Sequence, residues 1–462
     1  MRLLPLISSV LISIAMLALA AAASPAAADG LSARPLPPDD GPHEFTITAG
    51  GTFFEQTPAL GLVCSFDFGD PKGAFNRLTG YNAAHVYDKP GTYVLMVRPQ
   101  GQPAGKAIKK TVHVLPDTRG VLKIQPGDNL ADVLKGVRND TLVLFPPGVT
   151  MDLTAPVEIK ARNVEFRAAG PGPAPRIRRV AGKGSSTLIP QGLDITFRGI
   201  EFDSDKPMSE IGSKKVNYRA VNADTGHLAL IGCTFRNVDD AIFCTSLTRG
   251  VLVQWCKFTS EVRGCGVWCD GSNVILLGNK FATSQQEHNV RSSQTGFYNL
   301  LVVENDFTST EGKETLTFRN GQDLYAIHNA FHKGWVRTGP GPRGDNRPMN
   351  AIELKKGHVD HVVLEANGLY DGAWFQINEG SSDVTVRYNR VDSDGKSPPV
   401  HVEGPSLKDI RVEDNYRVLN GTPTNKPFVR ANQVGPEDFK ERGSRTKVDE
   451  HSPITEDRND KK

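Results

Sequence analysis

An eight-residue unit recurs along the chain at nearly constant steps, and nothing else in the sequence constrains the fold as strongly. Units 228–235, 251–258, 274–281, 300–307 and 324–331 each carry an apolar run and close on phenylalanine. The steps between Phe235, Phe258, Phe281, Phe307 and Phe331 are 23, 23, 26 and 24 residues. Weaker copies occupy 195–202, 362–369, 384–391 and 410–417. Steps of this size predict a solenoid in which each turn covers the apolar face of the next. The units are β-branched, aromatic and punctuated by Gly and Asn, which favours strands over helices. Asn279, Asn305, Asn329, Asn367, Asn389 and Asn415 share one register, continued by Cys256 and Cys233. Stacked amides at a bend can bond one another and absorb backbone groups that a buried turn would strand.

The leucine scaffold of leucine-rich repeats is missing, and the pattern instead resembles the right-handed parallel β-helices of the pectate-lyase-like superfamily. The resemblance covers roughly residues 120–430. Leu130, Val133, Leu134 and Val137 have helix-like spacing, and a strand-like run at 141–145 and a Pro-Pro-Gly turn follow. That segment predicts an end cap for the stack. Fold alone does not specify an activity.

Ahead of the coil, residues 43–115 hold short alternating runs separated by Gly/Pro/Asp turns, the pattern of a small immunoglobulin-like β-sandwich. The string from Cys64 to Asp70 resembles the W-D-F-G-D core of PKD domains, with Phe66 in place of Trp. The string from Ala84 to Tyr93 is similar to their H-x-Y-x-x-P-G-x-Y strand entry. The resemblance implies a spacer or carbohydrate-proximal module. Phe66, Phe68, Tyr87 and Tyr93 are expected in its core, with Asp67 and Asp70 as turn stabilisers. The expected fold class is therefore all-β, a right-handed parallel β-helix preceded by a sandwich.

Residues 1–28 read as a cleaved export signal: Arg2, an apolar stretch, then Ala26-Ala27-Ala28 before Asp29. Residues 434–462 are polar and charged and read as a disordered tail. Lys plus Arg number 54 against 52 Asp plus Glu, a net charge of +2 that argues against nucleic acid as a partner. An exported or periplasmic monomer without a membrane span is expected. Export would permit disulfides, and Cys244–Cys269 is the favoured pair, while Cys233 and Cys256 stack as buried thiols. No cysteine has zinc-site spacing, so no metal is assigned to them.

A second strand in each coil carries the chemistry. Aligned on its trailing turn, it runs through 241–246, 266–271, 288–293, 316–321, 352–357, 375–380 and 399–404. Period-two alternation then turns Phe243, Trp268, Val290, Phe318, Leu354 and Ile377 inward. One outward column reads Ile242, Val267, Asn289, Thr317, Glu353, Gln376, Val400, and the other Cys244, Cys269, Arg291, Arg319, Lys355, Asn378, Val402. Arg291, Arg319 and Lys355 would form a cationic stripe suited to an acidic polysaccharide, with Asn289, Thr317, Glu353, Gln376 and Asn378 beside it. An insertion at 334–350 would wall the groove and adds Arg337, Arg343 and Arg347.

The strings Val290-Arg291-Ser292-Ser293 and Leu316-Thr317-Phe318-Arg319-Asn320-Gly321 resemble the V-K-S-S and L-x-L-R-H-G motifs of the alginate lyase and chondroitinase B family. The resemblance implies β-elimination on a uronate polymer, with Arg291 in the base position and Arg319 matching the acid. Arg is a poor base because it stays protonated, and Asn320 replaces the family's His. Lys355 could serve instead. Calcium is a possible cofactor near Glu287 and Asn289, although two oxygen ligands do not make a site. The alternatives are a non-catalytic polysaccharide-binding protein of the envelope and, less favoured, a glycoside hydrolase using Asp239-Asp240, which otherwise read as turn residues.

Overall fold

The computed structural model describes residues 43–449, apart from 102–106, 181–184, 207–217, 225, 283–286, 293–296, 309–313, 333–349, 355–356, 394–397, 421–426 and 436. The proposed export signal, the end of the tail, and Lys355, Arg337, Arg343 and Arg347 therefore lie outside the described residues.

From Gly120 onward the chain winds as a parallel β-helix whose coils build three sheets. Sheet I has 13 strands, sheet II 12 and sheet III 11. Each coil visits them in that order, so consecutive strands of any one sheet pair in parallel one coil apart. The inside is filled by in-register apolar stacks. Phe202, Phe235, Phe258, Phe281, Phe307 and Phe331 lie ring over ring, and Phe258 and Phe281 are 4.2 Å apart at 4°. The repeating phenylalanine of the sequence is thus one continuous column in sheet II.

The asparagine register is a hydrogen-bonded ladder at the bend between sheets I and II. Asn305 donates its amide to Leu276 O (2.9 Å) and Asn329 Oδ1 (3.0 Å), and its own Oδ1 accepts from Asn279 N (2.9 Å). The pattern repeats through Asn329, Asn367, Asn389 and Asn415, and Cys256 N bonds Asn279 Oδ1 at the upper end. Each of these asparagine-bearing bends thereby satisfies backbone groups that burial would leave unpaired.

The coil is closed at its start by a short helix, Leu130–Lys135, capped by Asn129 and burying Leu130 and Leu134. At the other end the winding outlasts the expected boundary. Phe439–Arg442 joins sheet I and Arg445–Asp449 joins sheet II. The stretch is polar and charged in sequence, which is why it reads as a tail.

The N-terminal module pairs a sheet of 5 strands with a two-stranded ribbon. Phe66, Phe68 and Tyr87 are buried in it, Tyr93 partly so. Asp67 accepts from Gly69 N and Arg77, as a turn residue does. The module is not held off as a spacer. Its apolar core is continuous with the outer face of sheet I, where Leu252, Ile275, Leu277, Leu301 and Tyr325 are buried against it. Gly61 N donates to Asp323 Oδ1 (2.9 Å), Asn82 to Asn299 O (3.1 Å), and Phe54 stacks on His227 at 4.8 Å.

All six cysteines are buried free thiols. Cys244 and Cys269 are register partners, as expected, but they point into the coil and form no disulfide.

Candidate functional site

The outer face of sheet III carries the side chains of interest, in a register that differs from the expected one. Arg291 pairs with Trp268 on one side and Thr317 on the other, and the column continues through Glu353, Gln376, His401 and Arg430. Upward it continues through Phe243 and Asn222. Phe243 and Trp268 therefore face out, while Ile242, Val267, Cys244, Cys269, Val400 and Val402 are buried inside. Loops trailing these strands differ in length, so alignment on the turn slips the upper rungs and the last one by one residue. A one-residue slip exchanges the two faces of a strand.

For the strand Val290–Ser292 the slip is two residues, which preserves the face but changes the column. Arg291 shares its column with Thr317, and Arg319 lies two residues past Thr317, just beyond the end of the strand Leu316–Phe318. The expected single stripe of cations is thus replaced by offset cations, which keeps like charges from stacking directly. Asn289 is not in the groove. It is buried and donates to Thr308 O (2.7 Å), so it does not join Glu287 as a ligand for calcium. Thr317, Glu353, Gln376 and Asn378 lie on the outward side of the strand register, but Thr317 is fully buried there, with its hydroxyl on His288, and Glu353 and Gln376 are nearly covered.

Carboxylates surround the arginines. Arg291 Nη1 lies 3.3 Å from Glu287 Oε2, and its guanidinium sits 4.2 Å from the Trp268 ring centroid. Trp268 in turn donates Nε1–H to Asp270 (3.2 Å) and lies against Phe243, over which Arg219 stacks at 3.8 Å. Burial and then the Arg291 charge push the Arg319 guanidinium below its ordinary value, opposed by Glu353, Glu314 and Glu287. Nε of both arginines is buried without a hydrogen-bond acceptor among the described residues. Beneath them His288 is enclosed, with Nδ1 2.8 Å from Glu314 O and 3.0 Å from Thr317 Oγ1.

Two further parts of this face stand out, the aspartate pair that the sequence offers as a lesser alternative and an aromatic pair that it does not single out. Asp239 and Asp240 are more than turn residues: burial, then the Asp240 charge, raises the Asp239 carboxyl to about 6. Asp240 is held by Cys265 N (2.9 Å) and Arg219 Nε (3.4 Å). At the opposite end Trp374 stacks on His401 at 5.6 Å. Among the described residues no group of three or more His, Cys, Asp or Glu could hold a metal. No helix among them is long and apolar enough to cross a membrane.

No family model matches the chain, and no curated protein does. Solved structures do. A rhamnogalacturonan lyase is 9% identical with a TM-score of 0.44, covering 70% of this chain and 87% of its own. A double mutant of the periplasmic alginate epimerase AlgG is 12% identical with a TM-score of 0.40, covering 72% and 83%. The catalytic domain of a GH87 alpha-1,3-glucanase in complex with nigerose is 11% identical with a TM-score of 0.40, covering 86% and 90%. At these identities the similarity is one of architecture alone.

Proposed function

We propose that the sheet III groove binds an acidic polysaccharide and cleaves it by β-elimination. The observation that carries this reading is the proximity of two half-buried guanidinium groups, Arg291 and Arg319, close enough for the charge of the first to lower the proton affinity of the second. Partly desolvated guanidinium donors side by side suit a planar carboxylate, which accepts from both and relieves their mutual repulsion. A uronate held there would have its carboxylate charge neutralised, which acidifies the adjacent C–H and stabilises the enolate as a base removes that proton. The C–O bond to the departing sugar then breaks, a C=C bond forms, and the leaving oxygen takes a proton.

Arg291, stacked on Trp268 and paired with Glu287, is a binding group in this scheme and not the base. Lys355, which follows Leu354 as Arg319 follows Phe318, is the proposed base. Export by the 1–28 signal and a PKD-type identity for the sandwich belong to the same reading. A rival reading, binding without cleavage, is favoured by the permanent cation in the base position.

The test is a panel of uronate polymers followed by the ultraviolet absorbance of the new double bond. Cleavage that is lost in Arg319→Ala and Lys355→Ala supports the lyase. Binding with no cleavage on any polymer supports the rival, and neither binding nor cleavage removes the acidic-polysaccharide reading.

A further inference from the structure

We infer that the groove carries a separate subsite for an uncharged sugar, built on Trp374, Gln376, Asn378, His401 and Glu403, so that the polymer it takes mixes uronates with uncharged sugars. This rests on the acidic-polysaccharide reading above and adds the composition of the chain. The strands Trp374–Asn378 and Val400–Glu403 are register neighbours in sheet III. The first is two strands beyond that of Arg319, about 10 Å along the groove at ~4.8 Å per strand.

The chemistry changes over that distance. Trp374 and His401 form a stacked ring pair, 5.6 Å between centroids and 25° apart. Trp374 Nε1 and His401 Nε2 are both buried and lack a hydrogen-bond partner among the described residues. Burial, then the charge of Arg430, lowers the affinity of His401 for a proton, so the ring is neutral at neutral pH. Gln376 donates to Asn378 Oδ1 (3.0 Å) and Glu403 Oε2 (3.3 Å), and Asn432 donates to Glu403 Oε1 (3.1 Å). Asn378, Glu403 and Asn432 line an open depression of about 640 Å³.

The half-exposed ring pair lies beside the depression and does not line it; with the amides and the carboxylate farther along the same two strands it offers the apolar surface and hydrogen-bonding groups that a pyranose uses. The same Glu403 repels a sugar carboxylate placed beside it, which a homopolyuronate would be forced to do. A cation, Arg430, returns one strand beyond His401 and is exposed, so acidic and uncharged sugars fit in turn.

The experiment compares a homopolyuronate with a polymer in which uronate alternates with an uncharged hexose, using the full chain. The alternating polymer is expected to have a KM about tenfold lower, and Trp374→Ala and His401→Ala each to raise that KM about tenfold. Trp374→Phe should recover most of the loss, which a merely misfolded protein would not. Equal or better use of the homopolyuronate, or variants that leave KM for the alternating polymer in place, overturns the subsite while the lyase reading stands. Failure to bind or cut either polymer overturns both.

Discussion

The guanidinium of Arg291 rests on the indole of Trp268, 4.2 Å from its centroid, because the two are register partners on neighbouring strands of sheet III. The side chain is held flat by the ring below and by Glu287 at its edge, leaving Nε–H directed at no protein acceptor among the described residues. An arginine fixed in this way loses little conformational freedom when an anion arrives.

Removing the ring should therefore weaken anion binding without touching the charge. Trp268→Ala is expected to lower affinity for a short uronate oligomer about tenfold, in line with ~1–2 kcal/mol for a partly desolvated cation–π pair. Trp268→Phe should lose less. Calorimetric titration of both variants checks this, and unaltered affinity in Trp268→Ala would show that the indole does not orient Arg291.

How far the sequence could be read depended on turn length. Between sheets I and II the turn is short and constant, with an Asn or Cys two residues before Phe235, Phe258, Phe281, Phe307 and Phe331, so Asn305 and Phe307 locate both ladders by inspection. After sheet III the trailing turn varies, and a register anchored on its glycine misplaces the strand before it. That is why the alternation identifies Phe318, Leu354 and Ile377 as core, where they are buried, and assigns Phe243 and Trp268 to the inner face, where they do not lie. The paired arginines were visible as residue types, but their offset was not. The sandwich's docking on sheet I had no signal, since Leu301 and Ile275 read equally well as part of an exposed or covered sheet.

The asparagine ladder should be a major determinant of stability. Asn305→Leu keeps the volume but removes the acceptor of Asn279 N and the donor to Leu276 O, leaving buried backbone groups unpaired. Each such group costs about 1–3 kcal/mol, so a loss of roughly 3–5 kcal/mol is expected. Chemical denaturation measures it, and a loss under 1 kcal/mol would mean that the ladder is replaceable.

The sandwich and the coil should unfold as one unit. Leu301 is buried between them and Leu301→Asp places an unpaired carboxylate in that seam, at a cost of about 3 kcal/mol or more. The variant is expected to show two thermal transitions in place of one and to be cut by protease in the 116–119 connection. A single, uniformly shifted transition would instead indicate that the seam is not where cooperativity is transmitted.

Asp239 makes stability depend on pH in a direction opposite to that of an ordinary paired carboxylate. Burial, then the neighbouring Asp240, raises its folded-state value to about 6 from 3.8. The folded chain therefore holds this proton more tightly than the unfolded chain does, and its stabilising effect is complete below pH ~4. As pH rises through the window from ~4 to ~6 that contribution is lost, because ionisation is easier once the chain unfolds. The loss is on the order of 2 kcal/mol, as one unit corresponds to about 1.4 kcal/mol and burial here is incomplete. Asp239→Asn removes the ionisation and should be the more stable protein at pH 7, with a flatter profile between pH 4 and 6. Denaturation midpoints measured across that range for both proteins test it. Parallel profiles would mean that Asp239 titrates at an ordinary carboxylate value in the folded chain.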